Sequence, residues 1–75
     1  MKRKTYHITK TDTGWQGKLE NSSRASFTGS TKKEVMEETI ALAKRNQPSS
    51  VIIHREDGSF EEERTYGNDP FPPRG

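Results

Sequence analysis

The run from Val51 to Pro70, VIIHREDGSFEEERTYGNDP, reads as a β-hairpin, and no other stretch limits the fold as much. A short apolar run ends in His54, a turn carries Asp57-Gly58, and a charged strand leads out through Tyr66 and Gly67. Asp-Gly between two strand-like runs signals a tight turn, because glycine takes φ > 0 without a Cβ clash. The hairpin says how the chain folds. It carries almost no chemistry.

Upstream, Lys4 to Thr9 alternates, with Tyr6 and Ile8 on one side and Thr5, His7 and Thr9 on the other, as in a half-buried strand. A polar stretch closing on Gly14 suits a hairpin loop. Trp15, Gly17 and Leu19 then share one face of a second strand, and Gly17 marks either a bulge or a close approach of a helix. Ala25 to Thr28 is a short third strand anchored by Phe27. Thr31-Lys32-Lys33-Glu34 has the form of a capping box, with Thr31 and Glu34 each accepting from the other's backbone N–H.

From Lys32 to about Asn46 the period is helical, and Val35, Met36, Thr39, Ile40, Leu42 and Ala43 fall on one stripe. Asn46 is expected to cap in the left-handed region before Pro48 forbids continuation. Val51 and Ile53 face one side of the next strand and Ile52 and His54 the other, which suits a central strand. The element order predicts an α+β, two-layer domain: one antiparallel sheet of four to five strands, β-β-(β)-α-β-β, with one helix on one face. The domain is expected over residues 1–67, followed by an extended Pro-rich tail over 68–75.

Composition bounds what such a domain can do. The chain has 75 residues, and Leu, Ile, Val and Phe together number eleven, enough for a small core of a few kcal/mol, on the order expected at this size. There is no cysteine, so neither disulfides nor thiolate metal sites enter. With no apolar run beyond four residues, no signal peptide or membrane span is expected, and a cytoplasmic location follows. Residues 1–33 hold eight Lys or Arg against two acids, whereas residues 34–75 hold five against nine. Such asymmetry bears on association rather than on fold.

Gly14-Trp15, Thr31-Lys32, Ile53-His54 through Asp57-Gly58, and Glu63-Arg64-Thr65-Tyr66-Gly67 through Asp69-Pro70 form a pattern that runs along nearly the whole chain. In this it resembles a widespread family of small bacterial proteins catalogued as a domain of unknown function. The resemblance implies a fold and transfers no activity, ligand or catalytic residue.

The residues themselves offer little catalysis. His54 beside Glu56 and Asp57 falls short of the three or four convergent ligands that a metal wants, so no metal or cofactor is expected. The Glu61-Glu62-Glu63 run offers carboxylates but no means of tuning them, and reads as an edge strand guarded by charge. Arg64 and Tyr66, placed by alternation on the Phe60 face of the last strand, are hot-spot residue types and, with His54, the candidate partner contacts. The reading is a non-enzymatic module that binds a protein, another copy of itself included. Size and charge are also compatible with a phage or mobile-element accessory that blocks a host factor. The alternative is nucleic acid held by the basic first hairpin through Lys4, Lys10, Lys18 and Arg24, with Tyr6, His7 and Trp15 interleaved.

Overall fold

The computed structural model describes residues 3–67. The chain forms β1 (Lys4–Lys10), β2 (Trp15–Leu19), β3 (Ala25–Gly29), α1 (Lys32–Arg45), β4 (Ser49–His54) and β5 (Phe60–Tyr66). The strands make one sheet in the order β3-β2-β1-β4-β5, and α1 packs across β1 to β4 on one side. The expected tail over 68–75 lies outside the described residues.

The sheet is mixed, which corrects the all-antiparallel expectation. β1 and β4 pair in parallel, with Tyr6 opposite Val51 and Ile8 opposite Ile53, while the other three pairings are antiparallel. The expectation laid one helix across one face of an antiparallel sheet. Instead α1 is a crossover: β3 runs in the sense of β1, α1 brings the chain back, and β4 starts again beside β1 in that same sense. Parallel neighbours need such a long connection.

Tyr6, Ile8, Val51 and Ile53 on the two central strands share the helix side and are buried with Trp15, Val35 and Ala43. The buried line of α1 is Val35, Thr39 and Ala43, spaced four apart. Met36, Ile40 and Leu42, on the same stripe by sequence, flank that line and are only half-buried.

Both readings of Gly17 hold. The β2–β3 register slips between Gly17 and Lys18, and a Cβ on Gly17 would stand 2.0 Å from Thr39 Oγ1. α1 therefore lies close over β2 at this point.

At the start of α1, Thr31 Oγ1 accepts from the Glu34 backbone N–H at 3.2 Å, as expected. The reciprocal half of the box is absent, because the Glu34 carboxylate accepts from Ser30 Oγ instead. Asn46 ends the helix at φ −113°, ψ 40° rather than in the left-handed region. Its Nδ2 donates to the Leu42 carbonyl at 3.1 Å and to Tyr6 Oη at 3.3 Å, which ties the cap to β1.

Two expectations follow for thermal melts. Val35→Asp places an unpaired charge in the core and should leave no cooperative transition, whereas Glu37→Lys on the exposed side should be nearly silent. Gly17→Ala should lower stability by roughly 1–3 kcal/mol through overpacking against Thr39, and adding Thr39→Ala should recover part of the loss. Independent, additive losses in that double variant would refute the close approach.

Candidate functional site

α1 covers four strands and leaves the helix side of the fifth open. Between α1 and β5 runs a groove of about 630 Å3. Met36, Ile40 and Ala41 give it apolar walls, with Lys32, Lys44 and Arg64 around them. The half-burial of Met36 and Ile40 has its cause here, since no strand lies beneath that flank of the helix.

The register of β5 decides which side chains face this groove. Glu62, Arg64 and Tyr66 stand opposite Ile53, Val51 and Ser49, and directly opposed residues share a face. They lie on the helix side. Phe60 does not: the register slips between Ile53 and His54, so Phe60 stands opposite His54 on the open face, 56% exposed. Strict alternation had placed Phe60 with Arg64 and Tyr66. The bulge at Glu61 turns it over.

Two of the groove's cations are engaged in ion pairs within the chain, and Lys33 and Glu37 also line it. Arg64 Nε donates to Glu62 Oε2 at 2.7 Å, and that hydrogen bond and the carboxylate's charge hold the guanidinium pKa above its ordinary value. Lys32 pairs with Glu61 and lies 5.0 Å from the centre of the Trp15 ring. The hydrogen bond from Lys32, with its charge, holds the Glu61 carboxyl below the usual range. Lys44 Nζ sits 5.6 Å from the Tyr66 ring centre. Arg3 donates to the carbonyls of Ser49 and Tyr66 and so ties the ends of β4 and β5 together.

On the open face, reading from sequence missed a pair. His7 Nδ1 and His54 Nε2 are 3.1 Å apart, with ring centres at 5.4 Å and planes 25° from parallel. The centre separation exceeds the N···N distance by little more than two ring radii, so the nitrogens meet nearly head-on. A proton fits between them. A metal at about 2.0–2.1 Å from each nitrogen, on that line, does not. His7 Nε2 also meets Glu20 Oε1 at 2.8 Å and His54 Nδ1 meets the Gly58 carbonyl at 3.2 Å. Donating all three hydrogen bonds takes three N–H protons, one more than two neutral imidazoles carry.

The structure does not gather the candidate residues into one site. Arg64 and Tyr66 face the groove, whereas His54 lies on the opposite face of the sheet. Of the basic candidates, Lys4 and Lys10 stand at the two ends of β1, Lys18 opposite His7 on the open face, and Arg24 in the turn before β3. Tyr6 and Trp15 are 3% and 7% exposed, within the core, and present no ring for stacking. No helix among the described residues is long and apolar enough to cross a membrane.

A family model described as an uncharacterized protein conserved in bacteria matches residues 6–66. No curated protein and no solved structure matches the chain.

The β4–β5 turn carries a pH signature. Asp57 Oδ1 accepts from Ser59 Oγ at 2.7 Å and from the Ser59 backbone N–H at 2.9 Å, and these bonds hold its pKa below the ordinary 3.8. A depressed folded pKa stabilises the turn above the unfolded value, and the contribution fades as pH falls through the lower folded value. In an NMR titration the Ser59 amide should shift with a midpoint below 3.8 and stop titrating in Asp57→Asn. A midpoint at or above that value would contradict the bonding.

Proposed function

The chain belongs to the DUF2188 family, whose description names no activity, and we propose from its own geometry that it is a small non-enzymatic binding module acting through protein–protein contact. The observation that carries the reading is the groove between α1 and β5, with half-buried Met36 and Ile40 on one side and exposed Arg64 on the other. Apolar walls rimmed by polar and charged groups match the anatomy of a contact surface. The edge of β5 beside it, without a strand partner among the described residues, adds a row of backbone donors and acceptors. The basic side chains of the first hairpin are spread over both ends of β1, the open face and the turn before β3, and no observation favours the nucleic-acid reading.

Arg64 is the cleaner probe of this surface, because Tyr66 also packs against the core and its truncation would lower stability directly. Affinity capture of tagged chain from a bacterial lysate, scored on every protein that co-elutes, untagged copies included, provides the test. Arg64→Ala should reduce the captured partner severalfold while its melting temperature stays within about 3 °C of the parent. If the variant keeps every association and melts early, Arg64 is structural and the reading fails.

A further inference from the structure

We propose that the edge of β5 is built to pair with a second copy of this chain, antiparallel, about a two-fold axis at Glu63, an inference that rests on the contact-module reading above. β5 is the last strand of the sheet, and beyond the slip at its start Glu62 to Tyr66 pair regularly with β4. Its outer backbone groups have no strand partner among the described residues. The other edge, β3, is shorter and carries a bulged register with β2.

The charge pattern of β5 selects both the partner and the register. With the axis at Glu63, Glu62 stands opposite the copy's Arg64, and Arg64 opposite the copy's Glu62. These residues already lie on the helix side, where Arg64 donates to Glu62 of its own strand. The four side chains then form a square of alternating sign, each charge meeting an opposite one along its strand and another across the pair. An axis at Arg64 would oppose two guanidinium groups, and one at Glu62 two carboxylates, which is destabilising. An axis falling between residues would oppose helix-side and open-face side chains, which an antiparallel ladder does not allow. With the axis at Glu63 both helices lie on one side, and their grooves run together into one trough.

Of the four cations lining the groove, Lys32 and Arg64 are already bound by Glu61 and Glu62 of β5. The surface carries both signs, and a strand that carries both signs in this order is its own complement. Two features oppose the pairing: Glu63, on the open face, meets its own copy, and the bulge at Glu61 confines the regular ladder to Glu62–Arg64, because Phe60 and Tyr66 lie on opposite faces.

Charge reversal tests the geometry by light scattering and sedimentation equilibrium, with circular dichroism confirming that each variant is folded. The wild type should dimerise, and Arg64→Glu and Glu62→Arg should each weaken self-association by about tenfold or more. Mixed in equal amounts, the two variants should form a one-to-one heterodimer, since one strand then offers two carboxylates and the other two cations. Glu63→Gln should tighten the wild-type dimer. A wild type that stays monomeric at concentrations on the order of 1 mM overturns the inference, as does a mixture of folded variants that fails to pair. Neither result touches the wider contact reading, which falls only if Arg64→Ala leaves every captured association unchanged.

Discussion

Gly17 lets α1 down onto β2, and the placement of the helix depends on that approach. A side chain there would collide with Thr39, whose Oγ1 lies 2.0 Å from where a Cβ would stand. A helix about 10 Å across, laid over strands about 4.8 Å apart, cannot reach all five strands of the sheet. By settling towards β2 and β3, α1 reaches β1 and β4 but does not cover β5. The groove, the half-buried flank of Met36 and Ile40, and the exposure of Arg64 follow from a missing Cβ on a strand towards the other edge of the sheet.

The core that this packing makes is narrow, and it contains polar groups. Among the described residues seven apolar ones are buried, and beside them lie Thr39, Ser49 and Ser50. Ser49 Oγ is satisfied by donating to the Ala43 carbonyl near the end of α1, which links the helix to β4. Thr39 Oγ1 and Ser50 Oγ have no hydrogen-bond partner among the described residues. Each such hydroxyl costs on the order of 1–3 kcal/mol relative to a satisfied one. Set against a stability of a few kcal/mol, typical at this size, these hydroxyls leave little to spare. A chain so placed gains from any association that binds only the folded form.

How much of this was legible in the sequence depended on how local the cause was. α1 was readable from its period and its Thr31 cap, and the β4–β5 hairpin from Asp57-Gly58, because each signal lies within a few residues of its effect. The parallel pairing of β1 with β4 was not, since it joins segments separated by two strands and a helix and leaves no turn to read. The His7–His54 pair was hidden for the same reason: alternation put each ring on the open face, but only the strand order makes them neighbours. Phe60 failed differently. One extra residue at Glu61 reverses the side on which everything before it lies, and period-two reasoning has no means of locating a bulge. For the candidate residues, composition singled out Arg64 and Tyr66, but the groove beside them needed the offset of the helix.

The same β5 residues can guard an edge and specify a partner, because charge and apolar surface contribute different things to a contact. In the free chain Arg64 already holds Glu62, so exchanging that pair for one across the two-fold axis gains little energy. Affinity would have to come from the backbone ladder between two β5 edges and from apolar surface shared across the joined trough. The charges act mainly by exclusion. An edge carrying Glu61, Glu62 and Glu63 repels most strands that might add to it, and only a partner that places a cation opposite Glu62 and a carboxylate opposite Arg64 escapes the penalty. On the proposed pairing, like-charge repulsion at Glu63 would keep even that partner weakly held. Such an edge would discriminate more strongly than it binds, as suits an association set by concentration.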